Sequence, residues 1–211
     1  MERKKRVKRF ILTFGILLFT FLISCNTNDD TDAVLDNINL IQSDKDALLF
    51  MLEEEKLARD TYIYLDNLWS INVFGNIKNS EQAHMDAIAN LLDNSLITYS
   101  ILPEGEFLNQ ELQNYYNLFV ANGSISQDNA LQIGATIEDL DIVDLERFMG
   151  ATTNSEILAV FNSLQCGSRN HIRSFVSAIE NNEATYEPQF LTQEEYNQII
   201  NSANEQCNQT N

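Results

Sequence analysis

Apolar residues recur in steps of three and four through four long segments of this chain, and in every segment a glutamate or a histidine interrupts the stripe. Steps of that size fall on one face of an α-helix, so each stripe marks the face a helix turns toward a core. The first stripe runs Leu48, Leu52, Glu55, Ala58, Tyr62 and Leu65, on a helix expected over 44–68. Ser43-Asp44-Lys45-Asp46 reads as its start, with Ser43 accepting from early backbone amides and Asp46 set against the positive end of the helix dipole. After a turn expected at Gly75 and Asn76, the second stripe runs Ile77, Glu81, His84, Ile88 and Leu91 and ends at about Leu92. The third begins near Ser126 and carries Leu131, Gly134 or Ala135, Glu138, Ile142 and Leu145. The fourth begins at Asn154 or Ser155 and carries Ile157, Phe161, Leu164, Ser168, His171, Phe175 and Ala178.

No sustained period-two run accompanies these stripes, and the only prolines are Pro103 and Pro188. Leu108, Leu112, Tyr115, Tyr116 and Phe119 predict a shorter helix lying across the others, ended by Asn122-Gly123. Thr192-Gln193-Glu194-Glu195 is a capping-box pattern for a last short helix through Ile200. The expectation is an all-α protein: a four-helix bundle with an extra crossing helix and a short C-terminal helix, in one domain over 43–211.

The start of the chain concerns address. Met1 to Arg9 holds Arg3, Lys4, Lys5, Arg6, Lys8 and Arg9, and Phe10 to Ile23 is largely apolar, shorter than the ~20 residues of a comfortable membrane span. A basic region, an apolar run and a small residue before the cut describe a secretory signal over 1–24. The ending Leu22-Ile23-Ser24-Cys25 resembles a bacterial lipoprotein signal, which implies a lipid on Cys25, a membrane anchor and an acidic tether over 25–42. An uncleaved anchor and an ordinary signal are the alternatives. The leader supports export, and the lipid anchor implies localisation to the cell envelope, with the leaflet left open. Six of the 13 basic residues and one of the 31 acidic residues lie in 1–24, so the remainder carries 7 against 30, a charge of −23. No basic patch is left to track a phosphate backbone, and nucleic acid is not an expected partner. With Cys25 assigned to lipid, Cys166 and Cys207 remain, either as a disulfide in an oxidising compartment or as two buried thiols.

The interrupted stripes carry the chemistry. Glu81 and His84 are three residues apart, on one helix face, and can offer an oxygen and an imidazole nitrogen to one ion. A single histidine on an apolar face is more often a hydrogen-bonded core residue than a ligand. Glu55, Glu81 and Glu138 at the same depth change that balance, because buried carboxylates require a cation, protons or basic partners. Arg59, Arg169 and Arg173 are the candidates for an explanation by salt bridges alone. Asp141 lies one helical turn from Glu138, on an adjacent surface.

The pattern of Glu55, Ala58 and Tyr62, then Glu81 with His84, then Glu138, then His171 resembles the ferritin-like superfamily, rubrerythrin and its relatives especially. More closely, the stretches Glu53-Glu54-Glu55-Lys56-Leu57-Ala58-Arg59-Asp60, Asn79-Ser80-Glu81-Gln82-Ala83-His84-Met85-Asp86 and Gly167-Ser168-Arg169-Asn170-His171 resemble a ferritin-like bacterial and archaeal family known only as a domain of unknown function. The resemblance implies a pair of metal positions. One would take Glu55, His84 and a bridging Glu81; the other Glu138, His171 and a second bridging carboxylate. Ser168 stands where that carboxylate is expected, so the second position is weak or empty unless Asp141 supplies the oxygen. The ligand types suit iron or manganese, and zinc would also bind them. A di-iron centre of this kind implies ferroxidase or peroxidase activity, with binding or structure alone as the alternative. Tyr62 reads as a core aromatic, with a part in electron transfer as the other reading. No cysteine-ligated iron module is visible, so the electron donor is unassigned, and a homo-oligomer is left open.

Overall fold

The computed structural model describes residues 40–207. The expectations for the signal, the lipid on Cys25 and most of the tether therefore lie outside the described residues. Within them the protein is all-α: α1 (Gln42–Trp69), α2 (Asn72–Asn94), α3 (Gln110–Gly123), α4 (Gln127–Ala151), α5 (Ser155–Asn181) and α6 (Gln193–Ile200). No described helix is long and apolar enough to cross a membrane.

The short connections make α1 and α2 one helical hairpin and α4 and α5 another. The hairpins join through α1 against α4 and α2 against α5, so each long helix neighbours two others around one interior. α3 crosses α1 and α4 on the outside, and α6 lies on α5.

Several termini follow the expected chemistry. Ser126 accepts from the Asn129 amide, Asn154 from Glu156 and Ile157, and Thr192 with Glu195 forms the reciprocal capping box. Two expectations are corrected. α1 begins at Gln42 behind Ile41, with no side-chain cap, so Ser43 lies inside the first turn instead of capping it. Leu40, ahead of it, is already buried. The first hairpin turns at Ser70 and Ile71, not at Gly75 and Asn76, which lie within α2. Ser70 takes the left-handed conformation (φ 54°), and its amide reaches the Asp66 carbonyl. That conformation costs a non-glycine residue about 1–2 kcal/mol, and the closed turn outweighs the missing glycine.

The core comes in two parts. One gathers Tyr62, Leu65, Phe74, Ile77, Ala135 and Phe175; the other gathers Leu48, Met51, Met85, Ile88, Leu145 and Phe161. On each long helix, the residues between these two sets are the polar interruptions of the stripe: Glu55 on α1, Glu81 and His84 on α2, Glu138 and Asp141 on α4, and Ser168 and His171 on α5. The polar layer divides the hydrophobic core.

At the C-terminal end, Asp139 on α4 is fully buried and accepts from the Tyr186 hydroxyl (2.7 Å) and from the amides of Gln189, Phe190 and Leu191. This single carboxylate fixes the approach to α6. Beyond α6 the chain returns along α5, where Glu205 accepts from Arg169 and Arg173 and a disulfide joins Cys166 to Cys207. The two cysteines are thus a disulfide, not two thiols.

Candidate metal centre

Glu55, Glu81 and His84 form one group whose ligand atoms lie within 4.8 Å of one another, and Glu81, Glu138 and His171 form a second. Glu81 belongs to both. Its Oε2 is 2.9 Å from His84 Nδ1 and its Oε1 is 2.8 Å from His171 Nδ1, so one carboxylate spans the two groups. Glu55 Oε2 lies 3.1 Å from His84 Nδ1 and Glu138 Oε2 lies 3.4 Å from His171 Nδ1. The rings stack with centroids 5.6 Å apart. All three glutamates are at most 2% exposed.

These close approaches are mostly not hydrogen bonds. His171 Nδ1 and Glu81 Oε1 are in close range, yet neither has a hydrogen-bond partner, because the N–H direction does not point along the line between them. Glu55 Oε1 and Asp141 Oδ1 are also buried without a partner. A buried polar atom with no partner costs roughly 1–3 kcal/mol, and several in one layer mark a place for an occupant, water or a cation. A cation bound by carboxylate oxygens and imidazole nitrogens suits that place, and the donor set fits it.

The electrostatics agree. Burial pushes the Glu55 carboxyl well above the ordinary carboxylate range, and Asp141 adds to the shift. Glu138 is raised by burial and by Glu81. Glu81 is the exception: burial acts against its charge, but His171 and His84 outweigh that and hold it well below the ordinary range. Burial disfavours the charged His171 as well, yet Glu81 and Glu138 raise it to about 10. His84 is raised in the same way by Glu55 and Glu81. Without a cation, protons on the imidazoles carry the positive charge of the layer.

Salt bridges from arginine do not explain the layer. Arg59 pairs with Asp60 and donates to Gln82, while Arg169 and Arg173 serve Glu205. None of the three meets Glu55, Glu81 or Glu138, because Arg59 reaches across to α2 and Arg169 and Arg173 reach the end of α6 and the segment after it. Tyr62 donates to Glu138 Oε1 at 2.5 Å, the partner expected of a buried phenol.

At the fourth-helix position no side chain on α5 besides His171 joins a group. Glu138 and His171 complete a group with Glu81 although Ser168 carries no carboxylate. Ser168 instead donates to Asp141 Oδ2, and Asp141 belongs to neither group. Burial raises Asp141 to about 7, with Ser168 opposing and Glu138 and Glu81 reinforcing the shift. Gly167 lets α5 approach α2: a Cβ there would stand 2.7 Å from His84 Nε2. This face of the His84 ring therefore has no room for a ligand, and its Nδ1 looks inward.

Sequence periodicity missed Glu54, which is 2% exposed with both carboxylate oxygens unpartnered. Three consecutive glutamates, Glu53 to Glu55, were the available signal, since they spread over most of a helical turn and cannot all face solvent once a crossing helix covers α1.

Four long α-helices enclosing two Glu/His groups that share one carboxylate define an all-helical protein whose interior is capable of coordinating metal. The chain belongs to the DUF2202 family, described as an uncharacterized protein domain, which matches residues 44–203. It is 44% identical over 166 residues to the uncharacterized protein MJ0754 of Methanocaldococcus jannaschii, covering 78% of this chain and 90% of that one. The crystal structure of the hypothetical protein MJ0754 matches the fold with a TM-score of 0.77 at 43% identity, over 79% of this chain and 96% of the other.

Proposed function

We propose that the protein is a ferritin-like, exported and lipid-anchored protein of the cell envelope that binds a pair of iron or manganese ions in its bundle interior, with oxidase or peroxidase activity at that pair. The observation that carries the reading is Glu81, whose two oxygens serve two different Glu/His groups. Glu55 and His84 would hold one ion with it, and Glu138 and His171 the other. The mixed oxygen and nitrogen donors suit iron and manganese, and zinc would compete by affinity. The basic leader, the apolar run and Cys25 support export and anchoring, and the Cys166–Cys207 disulfide agrees with an oxidising compartment.

When bound, a redox-active pair would supply electrons to an oxidant such as oxygen or peroxide. The protein's own contribution is positional. The two apolar parts of the core shield the layer from water above and below. Tyr62 fixes one oxygen of Glu138, and Ser168 fixes one oxygen of Asp141, leaving Asp141 Oδ1 free to hold or release a proton beside the centre.

Protein purified without chelators should contain about one to two ions per chain, and added ferrous or manganous ion should raise the melting temperature of metal-free protein. Protein that binds neither ion and gains no stability ends this reading. Binding without turnover under oxygen or peroxide supports a second one, a non-catalytic metal-binding protein, which Ser168 at the place of a bridging carboxylate favours. Loss of membrane association in Cys25→Ala checks the anchor.

A further inference from the structure

Glu54 precedes a centre ligand in sequence but points elsewhere. Glu54 borders a cavity of about 330 Å³ between α1, α3 and α4, together with Asp144, Glu111, Tyr115, Arg147 and Phe148. Both of its oxygens are buried, and neither has a partner. The charged groups acting on Glu54 are the carboxylates of Asp141, Asp144 and Glu55.

Asp144 is the outer member of these groups, with a side chain 15% exposed; Glu54, Asp141 and Glu55 are 2%, 5% and 1% exposed, and Asp141 and Glu55 each have one unpartnered oxygen in the metal layer. Glu54 belongs to neither three-ligand group among the described residues, so it is not built to retain an ion as the paired centre is. Arg147 stands at the outer end, donating to Asp144 from Nε and Nη2 at 3.0 and 2.8 Å while lying over the Phe148 ring. A cation taking Asp144 has to displace a guanidinium that is half exposed and free to swing into solvent.

We propose that Glu54, reached through the cavity beside Asp144 and Glu111, is a transfer site through which divalent cations pass to the paired Glu/His centre. The proposal rests on the reading of that centre as a metal site and adds its route of loading. A focused field of one sign in a low-dielectric cleft raises cation arrival rates by about 10–1,000-fold, and loss of the buried carboxylate removes the step that follows arrival.

The test is stopped-flow uptake of cobalt(II) by metal-free full-length protein, read by the absorption of the bound ion and paired with equilibrium titration. Glu54→Gln keeps the size of the side chain, and its melting temperature shows whether it folds. It should load about tenfold more slowly and reach the same final stoichiometry and affinity as the wild type. Asp144→Asn, a change at a partly exposed group, should slow loading in the same direction, and Arg147→Gln should speed it. Loading of Glu54→Gln at the wild-type rate overturns the transfer site. So does a final stoichiometry lowered by one ion, which would make Glu54 a resident ligand. A wild type that takes up no cobalt(II) removes the paired centre and the route with it; a wild type that loads normally beside an unslowed Glu54→Gln removes the route alone.

Discussion

Helix α1 buries acidic side chains on two of its faces, and Asp60 on one and Glu55 on the other are satisfied in opposite ways. On the face under α3 and its approach, Asp60 is fully buried and accepts from Lys56 Nζ, from Arg59 Nε and Nη2, and from the Gly105 amide at 2.9 Å. Lys56, itself 1% exposed, also donates to the carbonyls of Pro103 and Glu106 and lies over the Phe107 ring. Gly105 sits at φ 79°, a conformation glycine takes without strain, and this turns its amide toward Asp60. That cluster is closed: every charge has its counter-charge from the chain. On the face toward the interior, Glu55 meets Glu81, Asp141 and the His84 imidazole, and several oxygens of the layer remain unpartnered. The contrast separates a buried ion pair that holds a loop on a helix from a buried set that calls for something outside the chain.

Breaking the closed set should cost folding and leave metal alone. Asp60→Asn strands the Lys56 ammonium, and removing one partner of a buried pair costs about 3–5 kcal/mol, a melting temperature lower by roughly 10 °C. Metal stoichiometry per folded chain should stay at the wild-type value; a loss of metal without a loss of stability would dissolve the distinction. Breaking the open set should do the reverse. Removing outer partners of metal ligands alone costs about 10–100-fold in affinity, so Glu81→Gln, which removes a ligand common to both groups, should exceed about 100-fold at both positions in calorimetric titration. Its metal-free melting temperature should change far less than that of Asp60→Asn. If only one of the two ions is lost, Glu81 does not bridge.

Acidity offers a milder probe of the open set. His171 is raised from 6.5 to about 10, with burial opposing and Glu81 and Glu138 prevailing, so its stabilising contribution is complete below 6.5 and is lost as pH rises through about 10. Asp141 is raised by burial from 3.8 to about 7, so the folded state favours its protonated form and loses that contribution as pH rises through about 7. Both signs make the metal-free protein less stable toward alkaline pH, while departing protons free the ligands for a cation. The gain in melting temperature on adding manganous ion under argon should therefore be larger at about pH 8.5 than at about pH 6. A gain independent of pH would show that the imidazoles are not displaced from their protons on binding.

The smallest effect concerns Asp141, which lies beside both groups and belongs to neither. Asp141→Asn keeps an oxygen for Ser168 and removes a buried charge among like charges, so the metal-free melting temperature at pH 8 should rise by roughly 2–4 °C, about 1 kcal/mol. Affinity should hold within a few-fold. A drop of tenfold or more would make Asp141 a ligand after all.

The difference between the two faces also sets what could be read from the sequence. Glu55, Glu81, His84, Glu138 and His171 interrupt stripes whose apolar members are buried by the four-helix bundle itself, so a helical period was enough to place them at one depth. Glu54, Lys56 and Asp60 lie off that stripe, and periodicity assigns them to solvent. They are buried because α3 and its approach, residues 103–112, cover the other face of α1, a packing between segments about 50 residues apart in the chain. Glu53 belongs to the same arrangement, its two oxygens accepting from the amides of Leu108 and Asn109. Asp139 shows the same limit: its role depends on Tyr186 and the backbone of 189–191, which no pattern within α4 reveals. The Ser70 turn was missed for a local reason, since a serine held in a left-handed conformation has no signature as strong as the Gly-Asn pair five residues on.

Gly167 acts as a ruler. The stacked rings of His84 and His171 come from different helices, α2 and α5, and the 5.6 Å between them is available because position 167 has no side chain to hold the helices apart. A methyl group at 167 would meet His84 Nε2 at 2.7 Å, and the structure could yield only by tilting that ring or widening the gap between the helices. Tilting the ring changes the distance from His84 Nδ1 to Glu81 Oε2 within α2, whereas widening the gap carries His171 Nδ1 on α5 away from Glu81 Oε1, and a carboxylate has a fixed span between its oxygens. The separation of the two Glu/His groups is thus set by an absent atom on the helix opposite Glu81, and alanine at 167 would alter the gauge of the layer with every carboxylate and imidazole still in place.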